Sequence, residues 1–246
     1  MMKNIKNEWY KIYKGKRLVI FLMILFATSL GLGFVVRSLQ MSGTLDVSES
    51  IGGNFALEVL GMLADVVLPV FTTLFVTFLV TDEINSGSLK LPLLCGQSRD
   101  DLIASKAVVV IMGLFSLMAV TFITSNAVAV FFWGSDSVIS DLSRNAVVFA
   151  ETFLALTGWA LIILFVSLFM KNSGAMVGVA TIVLVVGTVV SSVCPQFAKY
   201  EVMYYFKAFI SLQPMNHLFA FSICAGTIVV FFILTTVKFR MLQIQK

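Results

Sequence analysis

The stretch LEVLGMLADVVLPVFTTLFVTFLV, residues 57–80, is followed directly by TDEINSGSLKLPLLCGQSRDDLIASK, residues 81–106. The first stretch is almost wholly apolar, and as a helix it is long enough to cross about 30 Å of hydrocarbon. The second is a long polar interval in a chain that is otherwise mostly apolar. Because a polar segment between two membrane spans must lie at a membrane face, this pair predicts a span followed by a loop that a soluble partner can reach.

The composition of the chain points to the same class of protein. Hydrophobic residues make up 59% and charged residues 12%, and the mean hydropathy is +0.99. Such a chain cannot cover a soluble globule with polar side chains. Long unbroken apolar runs favour helices over a barrel, because every backbone amide in a bilayer must be paired within the chain. The sequence therefore predicts an all-α integral membrane protein.

Six apolar runs are long enough to form transmembrane helices. They cover residues 18–36, 57–80, 103–133, 146–170, 174–193 and 218–237. Three other segments are predicted to be a cytoplasmic amphipathic helix, a cytoplasmic loop and an outer interfacial segment; they cover residues 1–17, 81–102 and 194–217, respectively. Residues 1–246 are expected to form a single transmembrane domain.

The distribution of Lys and Arg predicts the orientation, since basic residues near span ends stay on the cytoplasmic side. With a cytoplasmic N-terminus, thirteen of the seventeen basic residues fall inside and four outside. The outer four are Arg37, Arg144, Lys199 and Lys207. We therefore expect both termini in the cytoplasm. The net charge of +4 is interpreted as topology and contact with anionic membrane lipid, and nucleic-acid binding is not expected.

The residues before the first span are patterned as a short amphipathic helix. Ile5, Trp9 and Ile12 follow one another at steps of three or four, with Tyr13 beside them, while lysines such as Lys11 occupy the other side. This pattern is typical of a helix that lies flat on the inner leaflet. The alternative is a plain basic tail that only obeys the positive-inside rule.

The polar loop has the signals of a compact bent element. Glu83 falls in the first turn after a helix start, where a carboxylate suits the helix dipole. Gly87 and Pro92 permit breaks, and Ser98 is a suitable cap for a helix that leads into the third span. The alternative interpretation is an ordinary connecting loop, which every multi-span protein must have.

The loop resembles a sequence found between the second and third spans of ABC-2 type permeases, the membrane subunits of many bacterial ABC exporters. That sequence reads E-x-x-x-G-[TS]-x-K, L-L, S-R, S-K. The matching positions are Glu83, Gly87, Ser88, Lys90, Leu93, Ser98, Arg99, Ser105 and Lys106. The chain departs from the common pattern at Ser88, where Thr is usual, and at residues 95–97, where a Pro usually precedes the Ser-Arg pair. In length the chain is most similar to the small permeases of bacitracin-resistance and lantibiotic-immunity exporters.

The resemblance implies a function and a set of contact residues. The chain would be a permease subunit in the bacterial cytoplasmic membrane that moves an amphipathic or hydrophobic cargo outward. Two copies of an ABC ATPase subunit would drive it, and a second copy or a similar permease would complete the transporter. The residues that would couple it to the ATPase are Trp9, Lys11, Tyr13, Glu83, Gly87, Lys90 and Arg99.

Enzymatic chemistry is not expected of this chain. It has no G-x-x-x-x-G-K-[ST] motif to cradle a nucleotide phosphate. ATP and Mg are therefore expected in the partner subunit, and no cofactor in this chain. The cysteines at 95, 194 and 224 are scattered and His217 is the single histidine, so no metal site is predicted.

Acidic residues in or near the spans are candidates for a transport path, because a charge inside a membrane is costly and commonly functional. Asp65, Glu58 and Glu151 are the candidates here. For Asp65 two interpretations stay open: contact with cargo in an outer vestibule, or pairing with Arg37, Arg144 or another outer base. For the other two acids, a position at the wet outer interface is the favoured reading.

Two other classes of function remain as alternatives. A stand-alone secondary transporter would need inverted repeats and broken helices with ion ligands at midplane, and neither is evident in the sequence. An intramembrane enzyme would need paired catalytic groups that face one cavity. The presence or absence of an encoded ATPase beside this reading frame separates these classes from an ABC exporter.

Overall fold

The structure is a computed structural model that describes residues 2–42, 51–88, 96, 98–170, 172–211 and 216–241. All regular structure within these ranges is helical, so the predicted all-α fold is confirmed. Six of the described helices are long and apolar enough to cross a membrane, as the apolar runs predicted.

The helices are numbered in chain order. They are α1 (Met2–Lys14), α2 (Arg17–Met41), α3 (Gly52–Asn85), α4 (Arg99–Trp133), α5 (Ser135–Ser167), α6 (Ser173–Val193), α7 (Pro195–Ala198), α8 (Tyr204–Ala208) and α9 (His217–Met241). The six membrane-length helices are α2 to α6 and α9.

Several of these helices continue into polar sequence beyond their apolar runs. Gly134 separates α4 from α5 with a φ of 90°, a conformation that glycine adopts without a Cβ penalty. After it α5 is helical through the polar residues 135–145, which contain no proline or glycine to stop it. At the start of α4, Ser98 Oγ accepts a hydrogen bond from the backbone N–H of Asp101 and caps the helix.

The core of the bundle lies between α3, α4 and α5. The most apolar windows of these helices are 61%, 50% and 67% buried, whereas those of α2, α6 and α9 are 22%, 22% and 17% buried. Trp159 of α5 is fully buried and donates from Nε1 to the carbonyl of Pro69 in α3 at 3.2 Å. Helices α2, α6 and α9 therefore surround a tightly packed central group and turn apolar faces outward.

Two π turns interrupt α3, at Leu63–Val67 and Thr77–Thr81. In the first, the backbone N–H of Leu68 bonds to the carbonyl of Leu63, one residue further back than in an α-helix. Pro69 follows immediately and has no N–H to continue the regular pattern. The carbonyl of Pro69 accepts from the hydroxyl of Thr73 at 2.9 Å as well as from Trp159. The wide turn thus lets the central helix accommodate a proline without breaking.

After α6 the chain reverses direction and packs against α6. A Cβ at Gly187 of α6 would overlap the carboxylate of Glu201 and the sulfur of Met203, so the returning segment lies directly against a glycine notch. Ser191 Oγ donates to Glu201 Oε2 at 3.4 Å. Residues 195–211 therefore pack against α6, and α8 comes to lie beside the first π turn of α3.

The contact between α3 and α4 yields a stability prediction. A Cβ at Gly113 of α4 would overlap the ring of Phe75, which is 2% exposed and has little room to move. We expect Gly113→Ala to lower the midpoint of thermal unfolding in detergent, because overpacking costs about 1–3 kcal/mol and exceeds the gain in helix propensity of about 1 kcal/mol.

The matched control is Gly178→Ala in α6, where an added Cβ meets nothing within 4 Å. It gains helix propensity without a clash, so its midpoint should be unchanged or slightly raised. Equal midpoints for the two variants would contradict the close packing of α3 against α4.

Candidate functional site

Helix α1 lies across one end of the bundle, where it contacts α2 and α4. We call this the basal end; it also contains the end of α3 and the start of α4. The apolar face of α1 packs against the bundle, since Ile12 is in the core and Ile5 and Trp9 pack against it. The predicted position of α1 on the inner leaflet stays a prediction. Tyr10 and Tyr13 are exposed on the other side. Lys16, with a φ of 54°, makes the sharp elbow between α1 and α2.

Four charged side chains meet where α1, α3 and α4 converge, and we call them the charged junction: Glu8, Lys11, Glu83 and Lys106. Lys106 Nζ lies 3.1 Å from Glu8 Oε2 and 2.6 Å from Glu83 Oε2. Lys11 Nζ lies 2.9 Å from Glu8 Oε1 and 3.0 Å from Glu83 Oε1. Each carboxylate thus bridges both ammonium groups, and positive and negative charges alternate around a ring.

The side chain of Lys106 is the most buried member of the charged junction. It is 0% exposed, against 4% for Glu8, 16% for Glu83 and 51% for Lys11. Its third hydrogen bond goes to the carbonyl of Leu79, inside the second π turn of α3, at 2.8 Å. An ammonium has three N–H donors, and all three of these have acceptors. Burial of this charge is therefore compensated by two carboxylates and one carbonyl.

Lys11 closes the ring from the solvent side. Desolvation lowers its pKa, but the hydrogen bonds and charges of Glu8 and Glu83 outweigh that effect, so the net pKa of Lys11 is raised above its usual value. Lys11 therefore stays charged at any physiological pH and keeps both carboxylates paired.

Further polar contacts join α2, α3 and α6 at the basal end. Arg17 pairs with Asp82 at 3.2 Å, and its guanidinium lies 4.2 Å from the centre of the Phe78 ring. Ser173 Oγ donates to the other oxygen of Asp82 at 2.5 Å, and Asn85 Nδ2 lies 3.5 Å from the same hydroxyl. The last turn of α3 is thus tied to the first residues of both neighbouring helices.

A separate set of contacts joins α4 to α9. Arg240 makes two hydrogen bonds to the carboxylate of Asp100, at 2.7 and 2.5 Å. Arg99 Nη1 donates to the backbone carbonyl of Arg240 at 2.7 Å. Together with the charged junction and the contacts of Asp82 with Arg17 and Ser173, these bonds connect α2, α3, α4, α6 and α9 at the basal end.

The structure separates the predicted coupling residues into two groups. Lys11 and Glu83 belong to the charged junction, and Trp9 is partly buried beside it. Tyr13 is exposed, Gly87 makes a turn after α3 with a φ of 66°, and Arg99 faces α9. Lys90 lies outside the described residues. The prediction that these residues contact an ATPase stays a prediction.

Sequence reasoning assigned no role to Glu8 and Lys106. Lys106 matches the S-K end of the ABC-2 pattern, but the positive-inside rule also predicts a lysine near a span end, so the sequence does not mark it as a buried partner. Glu8 is the single acidic residue of α1 and follows Ile5 by three positions and precedes Ile12 by four. That spacing places it on the apolar face, which is the signal that a partner of opposite charge lies opposite.

The candidate transport-path acids do not come together. Asp65 pairs with Lys207 of α8 at 2.9 Å, and Glu151 lies 3.0 Å from His217. Glu58 is exposed on α3. Of the three acids only Asp65 lines the cavity of about 350 Å³ between α3, α6 and α8. The polar side chains of this cavity are those of Asp65, Thr188, Ser191, Ser192, Tyr204, Lys207 and Ser211.

The outer bases named as candidate partners of Asp65 have other contacts. Arg37 hydrogen-bonds Gln40 at 3.4 Å, and Arg144 pairs with Asp141 at 3.4 Å. Asp65 instead pairs with Lys207, one of the four bases that the sequence predicts on the outer side. Asp65 still borders open space, so the vestibule interpretation is not displaced by the pair.

No cluster of three or more His, Cys, Asp or Glu side chains suited to a metal ion occurs among the described residues. Of the cysteines in those ranges, Cys194 is exposed and Cys224 is buried, each as a free thiol. Cys95 lies outside them.

A family model described as "Protein of unknown function (DUF2705)" matches residues 17–243. The match covers nearly the whole chain, so the chain belongs to this family. No curated protein matches it. The matched range includes Glu83 and Lys106 of the charged junction, whereas Glu8 and Lys11 lie before it.

The charged junction yields the second prediction. Lys106→Met leaves Glu8 and Glu83 buried with only the half-exposed Lys11 between them. Removal of one partner from a buried ion pair costs about 3–5 kcal/mol, so we expect a large fall in the thermal midpoint of the purified protein. The double variant Glu83→Gln/Lys106→Met should lose less than the sum of the single losses, because the residues are coupled.

Lys14→Met is the control of the same chemistry on the solvent side of α1. Its ammonium lies 5.7 Å from the Tyr10 ring, and its side chain is exposed. It should leave the midpoint nearly unchanged. Strictly additive losses in the double variant would argue against a shared network.

Proposed function

We propose that this member of the DUF2705 family is the membrane-spanning subunit of an ATP-driven exporter in the bacterial cytoplasmic membrane, with both termini in the cytoplasm. ATP and Mg belong to a separate ATPase subunit. The observation that carries the proposal is the charged junction, which fastens an amphipathic helix and the ends of two spans into one unit. Two of its residues, Glu83 and Lys106, are positions of the pattern that resembles ABC-2 type permeases.

The charged junction is suited to transmit a displacement. Lys106 Nζ on α4 is bonded at once to Glu8 on α1 and to Glu83 on α3. A push on α1, or on the loop that follows α3, therefore moves the ends of both spans together. Separation of these helices would expose unpaired charge to an apolar surrounding, which is strongly unfavourable. The three elements consequently behave as a rigid body.

The exposed surface beside the charged junction is suited to a soluble partner. Tyr10 and Tyr13 are 60% and 67% exposed on the solvent side of α1. Aromatic side chains of this kind commonly dominate the energy of protein interfaces. In this proposal the two tyrosines belong to the surface on which the ATPase would dock.

The proposed ATPase partner implies that the transporter contains a second permease chain. An ABC ATPase works as a pair, so the permease would be completed by a second copy or by a similar chain. The outward faces of α2, α6 and α9 are apolar and little buried. An amphipathic or lipid-like cargo, including a membrane-active peptide, suits such walls better than a hydrated ion or sugar.

The third prediction tests this proposal. The chain is co-expressed with the ATPase subunit encoded beside it and purified through a tag on the permease, and bound ATPase and ATP hydrolysis are measured. We expect the two to co-purify with ATPase activity. The variant Tyr10→Ala/Tyr13→Ala should reduce the bound ATPase about tenfold or more, because exposed interface aromatics carry much of the binding energy.

Phe131→Ala is the matched control, since Phe131 is 79% exposed on α4, far along the helix from its basal end. It should retain the bound ATPase at the level of the unmodified chain. A permease that captures no ATPase, or one whose tyrosine variant binds as well as the control, would refute the proposal. The first of these outcomes would favour the stand-alone secondary transporter.

A further inference from the structure

The cavity between α3, α6 and α8 is built by the segment that folds back after α6. Glu201 and Met203 fill the notch at Gly187, and α8 is thereby held against the first π turn of α3. Lys207 then reaches Asp65 across the opening, with 2.9 Å between Nζ and Oδ1. The cavity volume of about 350 Å³ is within the range of small-molecule sites, about 300–1,000 Å³.

The two charges of this pair face open space as well as each other. The side chain of Asp65 is 41% exposed and that of Lys207 is 65% exposed. An ammonium has three donors and a carboxylate about four acceptor positions, so a single contact leaves both groups with capacity for a ligand. Unlike Lys106 in the charged junction, Lys207 is therefore placed to bind something else.

Four Ser and Thr hydroxyl groups line the cavity, and together with Asp65 they determine which ligand groups it can bind. Thr188, Ser192 and Ser211 donate to backbone carbonyls, at 2.8, 2.8 and 3.1 Å. Ser191 donates to Glu201. Because their protons are engaged, these hydroxyls present lone pairs to the cavity. With the Asp65 carboxylate they form a set of acceptors, which suits a donor-rich cation such as a primary ammonium.

The remaining lining suits a ligand that is apolar at one end. Lys207 supplies a positive charge for an anion, and Leu184 and Phe206 supply apolar wall. Nearby on α6, Val185 and Val189 are 55% and 54% exposed, and they extend an apolar surface away from the cavity. A molecule with an ammonium, an adjacent anion and hydrocarbon tails matches all three parts.

We propose that this cavity binds the headgroup of a zwitterionic phospholipid with a primary amine, its ammonium at Asp65 and its phosphate at Lys207. The acyl chains lie along the exposed face of α6. This assignment does not depend on an ATPase partner, because lipid binding is a property of the chain alone.

The test is native mass spectrometry of the purified full-length chain with equimolar phosphatidylethanolamine, phosphatidylcholine and phosphatidylglycerol of identical acyl chains. We expect the ethanolamine lipid to be retained about tenfold more than either competitor, the effect of one charge-assisted hydrogen bond. The choline lipid lacks N–H donors, and the glycerol lipid lacks a cation. Equal retention of the three lipids would overturn the proposal.

Variants assign the effect to the cavity. Asp65→Asn should abolish the preference for ethanolamine over choline lipid, and Lys207→Gln should reduce retention of the ethanolamine lipid about tenfold. Lys199→Gln, on the same returning segment but outside the cavity lining, should change neither. If both cavity variants retained lipid as Lys199→Gln does, the site would be wrongly placed.

One further variant covers the case in which the charge variants do not fold, and one further ligand tests whether the site binds a soluble headgroup instead of a lipid. Thr188→Val is nearly isosteric and removes one acceptor, so it should weaken the ethanolamine preference even if the charge variants fail to fold. Free phosphoethanolamine should bind far more weakly than the lipid. If it binds as tightly as the lipid, the assignment to a membrane lipid is overturned.

Discussion

The buried ammonium of Lys106 is the constraint on which the basal end of this helical bundle depends. A charge with no exposed surface is tolerated only where its donors are all accepted and its charge is neutralised. Lys106 meets both conditions by drawing Glu8, Glu83 and the Leu79 carbonyl toward one point. Three chain segments are thereby fixed relative to one another, and the π turn in α3 supplies one of the acceptors.

The charged junction and the pair of Asp65 and Lys207 differ in their exposure to solvent, and the difference matches the roles proposed for them. In the charged junction the charges are mutually satisfied, and those of Lys106 and Glu8 are shielded from solvent, which favours rigidity. Around Asp65 and Lys207 the charges are partly open beside a cavity, which favours exchange with a ligand. The distance between charged atoms is similar in both, at 2.6–3.1 Å in the buried pairs with Lys106 and 2.9 Å in the open one. Burial, more than distance, separates a structural pair from a binding pair.

Much of the fold could be predicted from the sequence, because the bilayer restricts a spanning segment to a long apolar helix. The helix ends were less predictable. Residues 135–145 are polar yet helical, and a hydropathy pattern does not identify a polar helical segment. Within the candidate site, the resemblance to ABC-2 permeases marks Glu83. Glu8 is marked only by its place on the apolar face of α1, and a pattern of apolar residues alone does not reveal it. The sequence restricts the partner of Asp65 to a few basic residues but does not show which one it is. Lys207 reaches Asp65 because the chain reverses after α6.

The charged junction also has a consequence for biogenesis. Glu8 and Lys106 are 98 positions apart in the chain. At about 5–20 residues per second of synthesis, Glu8 waits roughly 5–20 s before its partner is made. During that interval the Glu8 carboxylate lacks its buried counter-charge, the ammonium of Lys106. The charged junction can therefore form only after the third span, α4, has been synthesised.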